Sequence, residues 1–192
     1  MFLKGARCET GKCAVEKRSA GTRERARAQP RRRVSDYGVR LREKQKLRRT
    51  YGVLERQFRH YFEEAERRTG ITGEILLQLL ERRLDNVAYR FSFATSRPQA
   101  RLLIGQRHFL VNGRAANVPS YLVQVGDVIS VREASRNVPP IAGAVARAGG
   151  RRLPAWLQVE ADAMSGRVVA LPTRIDIDTQ VQEGLVVEFY SR

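Results

Sequence analysis

Arg97 and Arg101 stand one helical turn apart in Ser96-Arg97-Pro98-Gln99-Ala100-Arg101-Leu102-Leu103-Ile104, and Arg107, His108, Asn112 and Arg114 follow closely. Guanidinium groups at this spacing form a row along one edge of a helix. Planar, five-donor cations in a row suit the holding of phosphate oxygens rather than the making or breaking of bonds. A second row lies upstream, with Arg40, Lys44 and Arg48 one turn apart, Arg42 and Lys46 offset from them, and Arg49 and Arg56 beyond. Each like-charge pair costs about 0.2–0.5 kcal/mol in an isolated helix. Glu43 is the only acid between Arg40 and Tyr51, so this row calls for an anion laid along it. Arg31, Arg32 and Arg33 form a third cluster, and Tyr37 offers a ring that could stack on a base or serve as a packing anchor. His108 is as readily structural as a contact.

The elements that must position these side chains are legible from periodicity. Ser96 and Gln99 have capping-box spacing, and Pro98 is tolerated in a first helical turn. A helix therefore starts at Ser96, with Ala100, Leu103 and Ile104 facing a core. Arg40–Tyr51 has helical composition but is polar nearly all round. Leu54, Phe58, Tyr61, Phe62 and Ala65 make an amphipathic helix closed by Gly70. Thr72 is placed to cap a following helix whose Ile75, Leu76, Leu79, Leu80 and Leu84 form a broad apolar face, continuing through Val87, Tyr89 and Phe91. Beyond Gly113, Val123 and Val125 alternate with polar residues, Gly126-Asp127 turns, and 128–131 is a strand. Residues 133–154 predict a surface connection with at most a weak helix. Trp156–Val159, Val168–Leu171 and Leu185–Tyr190 predict three short strands in a small sheet. The fold class is α+β.

Charge selects the partner. The 192 residues carry a formal net charge of +16, which demands a polyanion, nucleic acid or acidic membrane. Residues 1–60 hold 19 Lys and Arg against 6 Asp and Glu, and 31 of the 36 basic residues are Arg. No run of about 18 apolar residues is present to span a bilayer, so nucleic acid is favoured. With only Cys8 and Cys13, no disulfide framework holds the fold, and a reducing cytoplasm is its setting. No Gly-rich phosphate loop, Ser-His-Asp set or carboxylate cluster points to an enzyme.

Specific strings then accumulate: Ser35-Asp36-Tyr37-Gly38, Leu41-Arg42-Glu43-Lys44-Gln45-Lys46, Tyr51-Gly52-Val53-Leu54-Glu55-Arg56-Gln57-Phe58, Arg83-Leu84-Asp85-Asn86-Val87, Val111-Asn112-Gly113-Arg114 and Phe189-Tyr190-Ser191-Arg192. Together they closely resemble the bacterial small-subunit ribosomal protein S-four family, densely over residues 34–192. The resemblance implies an early-binding protein of the small ribosomal subunit, located on the cytoplasmic ribosome. It would grip a helical junction in the 5′ domain of the small-subunit rRNA, nucleate assembly of the subunit body and bear on translational accuracy. Its implied partners are that rRNA, mRNA near the channel by which it enters, and neighbouring small-subunit proteins, especially the fifth. It also implies a division into a basic, mostly irregular arm (1–36), a helical rRNA-binding domain completed by C-terminal residues (37–82), an RNA-binding module (83–146) and a C-terminal β segment packing back on the helical domain (147–192).

On this reading Arg40, Arg42, Lys44, Lys46, Arg48 and Arg49 clamp one set of phosphates, with Arg56 beside them. Arg97, Arg101, Arg107, His108, Asn112 and Arg114 hold another, while Arg31, Arg32 and Arg33 lie towards mRNA. Replacing Arg97 and Arg101 together with Ala should flatten the salt dependence of binding without unfolding the protein. Zinc-binding members of the family complete a pair placed like Cys8 and Cys13 with an upstream Cys-x-x-Cys. The sequence as read from Met1 holds no such second pair, and two thiolates do not fill a tetrahedral site, so no metal or cofactor is expected.

Two rivals share the module. Pseudouridine synthases carry a catalytic Arg-Leu-Asp string like Arg83-Leu84-Asp85, but their catalytic domain follows the module, and only roughly 60 residues follow it here. Asp85 is instead expected to form a local cap or to bond Arg82 or Arg90. A free RNA chaperone or heat-shock type binder would need the module alone, without the basic arm and polar helix.

Overall fold

A computed structural model describes residues 3–5, 8, 10, 13–17, 35–148, 152–160 and 162–191. The arm holding Arg31, Arg32 and Arg33 lies outside the described residues.

Helix α1 (Asp36–Tyr51) opens on Ser35, whose hydroxyl accepts from the Gly38 amide at 3.2 Å, and closes on Gly52 at φ 62°. That left-handed close carries no steric penalty at glycine. Leu47 and Tyr51 face inward. Helix α2 (Glu55–Arg67) buries Phe58, Phe62 and Ala65. Leu54, expected in the same stripe, is the N-cap and is 71% exposed. Helix α3 (Thr72–Glu81) is preceded by Ile71 at the N-cap, and Thr72 occupies its first turn without capping it.

The expected strand at Leu185–Tyr190 is instead a helix, α7 (Glu183–Tyr190). A run this short and this apolar has no period of its own to separate helix from strand. Tertiary packing decides: Val186 is fully buried, and the Tyr190 ring lies 4.7 Å from Phe62 and 6.1 Å from Phe58. These helices share one apolar core with Leu76, Leu77, Leu79 and Leu80 at its centre.

A second core lies under helix α4 (Leu84–Arg90), helix α5 (Arg97–Gly105) and one antiparallel sheet. Its strands are β1 (Phe109–Val111), β2 (Arg114–Ala116), β3 (Val128–Val131), β4 (Leu157–Glu160) and β5 (Ser165–Val168), in the order β2-β1-β3-β5-β4. The C-terminal strands were expected in a small sheet set against the helical half. They extend the module's sheet, with Ser130 opposite Ser165 and Ile129 opposite Gly166, because β3 would otherwise present a bare edge. The strand expected over Val168–Leu171 lies a few residues earlier, and 133–154 holds a 3-10 turn (Glu133–Ser135) and helix α6 (Pro139–Val145), which buries Ile141. Ser96 caps α5 as expected, accepting from the Gln99 amide at 3.4 Å, but Gln99 Oε1 takes the Thr95 amide at 2.6 Å instead of closing a box on Ser96.

The two cores meet along a polar seam. Glu81, Arg83, Asp85, Asn86 and Arg90 are all buried. Arg90 donates to Glu81 Oε1 at 2.9 Å and to Asp178 Oδ1 at 2.6 Å, and Glu81 also accepts from the Tyr51 hydroxyl and from Asn86 Nδ2 at 2.7 Å. Burial first, and the Glu81 charge second, push the Tyr51 phenol well above its ordinary value, so it stays a donor. Asp85 accepts from Arg83 at 2.8 Å and from Arg101 at 2.8 Å, not from Arg82 or Arg90 as expected, and Arg83 also donates to the Tyr61 hydroxyl at 2.7 Å. Burial alone would lower the Arg83 value, but the Asp85 carboxylate outweighs it and the guanidinium is held charged.

Three consequences are measurable. A Cβ built on Gly166 would sit 2.5 Å from the Phe91 ring, so Gly166→Ala should cost about 1–3 kcal/mol in urea unfolding, part of it returned by Phe91→Leu. Arg90→Met leaves the buried Glu81 side chain without its guanidinium partner, a loss of about 3–5 kcal/mol. The Arg90 hydrogen bond holds the Asp178 carboxyl below its usual value. That pair therefore contributes stability above the unfolded value of about 3.9, and the contribution disappears as pH falls through the lower folded value. Asp178→Asn should flatten this part of the acid limb in a pH series of thermal melts.

Candidate nucleic-acid interface

Where the C-terminus of α1 approaches the N-terminus of α5, a cleft of about 630 Å³ opens between the two cores, lined by Arg49, Tyr51, Gly52, Tyr89, Arg97 and Arg101. One wall comes from the N-terminal segment. Gly5, at φ 57°, passes so near the Thr95 carbonyl that a Cβ there would sit 2.5 Å from its oxygen, an approach that only glycine permits.

The arginines of α5 are held from behind. Arg97 Nε donates to Asn86 Oδ1 at 2.8 Å, and its guanidinium lies 4.6 Å from the Tyr89 ring centre and 5.0 Å from that of Tyr51. Arg101 spans the cleft floor, donating to Asp85 and, at 2.6 Å, to the Gly52 carbonyl that ends α1. The pair thus ties module to helical half. Removing both side chains would break contacts to Asn86, Asp85 and Gly52, so a loss of stability is expected alongside any change in salt dependence.

The row on α1 divides in two. Arg40 donates to Glu188 at 2.6 Å, Arg48 to Gln45 at 2.8 Å with Glu55 3.5 Å away, and Lys46 lies 3.5 Å from Glu43. Lys44 is buried, paired with Glu55 at 2.5 Å, its ammonium 4.6 Å from the Phe189 ring centre. The like-charge repulsion read from the sequence is therefore answered in part by carboxylates from α2 and α7, with no external anion. Hydrogen bonds from Lys44 and Tyr190 keep Glu55 below its ordinary value against the opposing effect of burial. Arg42 and Arg49 on α1, and Arg56 on α2, are not taken up in this way. All three are exposed and make no hydrogen bond or ion pair through their side chains with a described residue. Tyr37 is exposed too, its ring 5.7 Å from that of Phe189.

In the module Arg107 and Arg114 are exposed and unpaired among the described residues. His108 Nδ1 lies 2.9 Å from the buried Ser135 hydroxyl. Asn112, at φ 49°, has both ends of its amide occupied: Nδ2 donates to Asp127 at 2.8 Å and Oδ1 accepts from the Val128 amide at 2.9 Å. Its work is to close the turn. Arg132 and Arg167, exposed near the same sheet, were not singled out from the sequence, because neither stands in a helical row.

Cys13 is buried, Cys8 accepts from the Lys4 amide, His60 is exposed on α2, and no group of three or more candidate metal ligands occurs among the described residues. Among the described residues no helix is long and apolar enough to cross a membrane.

Comparison with known proteins agrees in both halves. The Ribosomal protein S4/S9 N-terminal domain matches residues 1–81, and the S4 domain matches residues 82–129. A small ribosomal subunit protein uS4 from Pelotomaculum thermopropionicum is 57% identical over all of this chain and 91% of its own length. Those of Desulforamulus reducens and Geobacter sp. (strain M21) are 55% and 54% identical over the same shares. The similarity thus runs through the helical half, the seam, the module and the C-terminal helix alike, and the chain belongs to the family of small ribosomal subunit protein uS4.

Proposed function

We propose that this chain binds small-subunit rRNA early in assembly, at a helical junction of the 5′ domain, and nucleates the body of the subunit. As a family member it is a small-subunit ribosomal protein, a structural component and not an enzyme, resident on the cytoplasmic ribosome. The observation that carries the finer reading is the cleft between the two cores, lined by Arg49, Arg97 and Arg101, together with the exposed side chains of Arg42 and Arg56 in the helical half and of Arg107 and Arg114 in the module.

Double-helical RNA hides its base edges in a deep, narrow groove, so a protein meeting folded RNA reads phosphate geometry and 2′-hydroxyls. Reading geometry needs cations at fixed separations. Here the outward arginines of α1 ride on a helix whose Arg40 and Lys44 are paired with carboxylates, and the seam joins that half to the module. The basic arm, with Arg31, Arg32 and Arg33, lies towards incoming mRNA on this reading. The fifth small-subunit protein is the neighbour through which the chain bears on translational accuracy.

Chemical footprinting of small-subunit rRNA checks the proposal: protection confined to one 5′-domain junction is expected, whereas diffuse protection would favour a free RNA chaperone. Salt dependence separates the residues. Each neutralised phosphate releases roughly 0.7 to 0.9 counterions, so Arg42→Ala with Arg49→Ala should reduce the slope of log affinity on log salt by about 1.5 while leaving the melting temperature unchanged. Lys44→Ala should do the reverse, losing about 1–2 kcal/mol of stability through its broken ion pair with half-exposed Glu55 and leaving the slope as it was.

A further inference from the structure

We infer that the module carries, on the edge of its sheet, a seat for one unpaired nucleobase, with the Tyr121 ring as the stacking platform and Arg114 and Asn117 as the polar contacts. The inference rests on the RNA-binding role proposed above and adds to it a site away from the cleft between the cores. The seat is a recess of about 510 Å³ beside edge strand β2, lined by Val111, Arg114, Ala115, Asn117, Val118 and Tyr121 among others. That volume accommodates a small ligand of nucleotide size.

The ring is fixed at both ends. Its backbone carbonyl accepts from the Leu84 amide at 2.8 Å, which seats the 118–121 turn on the start of α4, and the neighbouring Pro119 carbonyl accepts from the Asp85 amide at 3.1 Å. Its hydroxyl donates to Asp127 Oδ2 at 3.4 Å, while the same buried carboxylate takes the Gln124 amide and the Asn112 side chain, both at 2.8 Å. A tyrosine clamped in this way and still 40% exposed presents a rigid π-face to solvent. A ring restrained at its backbone and its hydroxyl has less rotamer freedom to lose when something stacks on it.

The polar groups around it are sorted by the same network. Asn112 is spent on the turn, as described. Arg114 and Asn117 are exposed and make no side-chain hydrogen bond or ion pair with a described residue, so a guanidinium and a complete amide remain to meet a phosphate and a base edge. A flat ring, a planar cation and a free amide around a recess are the elements by which proteins hold a base splayed from single-stranded RNA. An added peptide strand would be the other occupant of a sheet edge, but β2 offers only three residues, too few for a ladder that gives affinity.

The full chain is tested against a 5′-domain rRNA fragment carrying 5-bromouridine at each unpaired uridine position in turn. Irradiation should crosslink one position to the peptide containing Tyr121. In equilibrium binding Tyr121→Ala should weaken affinity about tenfold, since one base–aromatic stack is worth about 1–3 kcal/mol, without altering the salt slope, and Tyr121→Phe should bind nearly as the native chain does. Arg114→Ala should lower the slope by just under one. Native melting of each variant guards against a folding defect. Crosslinks confined to α1 and α5, or a Tyr121→Ala chain that binds as tightly as the native one, would overturn the seat while leaving the junction reading intact. Retained RNA binding by Tyr121→Ala together with lost binding of another subunit protein would assign the recess to a peptide instead. If the native chain itself shows no preference for 5′-domain RNA, it is the underlying function that fails.

Discussion

Charge buried between two apolar cores is the constraint on which the molecule's shape depends. An isolated carboxylate such as Glu81 costs several kcal/mol to remove from water, and Glu81 is tolerated because Arg90, Asn86 and Tyr51 converge on it. Those three come from α1 and α4, and Arg90 reaches on to Asp178 in the C-terminal stretch. Satisfying one carboxylate thus requires helical half, module and C-terminal segment to be in register at once. Apolar surfaces can slide past each other at little cost; a hydrogen-bonded network of this kind has one arrangement in which every member is satisfied. The seam therefore sets the separation between the arginines of α1 and those of the module.

The same logic runs through Asp85. It sits one residue into α4, takes Arg83 and Arg101, and so anchors a side chain that reaches across to the carbonyl ending α1 at Gly52. Gly52 must adopt a left-handed conformation for that carbonyl to be presented, and the cap that stops α1 is thereby also a joint in the cleft. Local sequence, packing and the shape of the interface meet at this one turn.

Much of this was legible beforehand. The cap at Ser96, the inward faces of α2, α3 and α5, and the strand at Val128–Val131 all follow from spacing and residue type. What was not legible depends on partners distant in sequence. Leu185–Tyr190 is too short for its periodicity to decide between strand and helix, and it is the rings of Phe58 and Phe62 that make it helical. The C-terminal strands carry nothing that says which sheet edge they will extend. Leu54 fits the apolar period of α2 but falls at its cap, where the chain has not yet entered the helix. Of the cations singled out, those on α1 could not be sorted into inward and outward, because Glu55 and Glu188, which claim Lys44 and Arg40, lie on other elements.

That sorting also shows what arginine does at the inward positions that lysine could not. A guanidinium spreads its donors over a plane, so one side chain can satisfy two acceptors at once: Arg90 serves Glu81 and Asp178, Arg83 serves Asp85 and Tyr61, and Arg101 serves Asp85 and Gly52. An ammonium at those positions lacks the planar fork that reaches both partners at once. Lys44 is placed where one carboxylate and two ring faces are all that is required. The inward arginines are thus structural members that keep the scaffold rigid, and the outward ones are useful for reading RNA because of that rigidity. Formal charge counts both kinds together, and so it overstates the number of cations available to phosphate while concealing the ones that hold them in place.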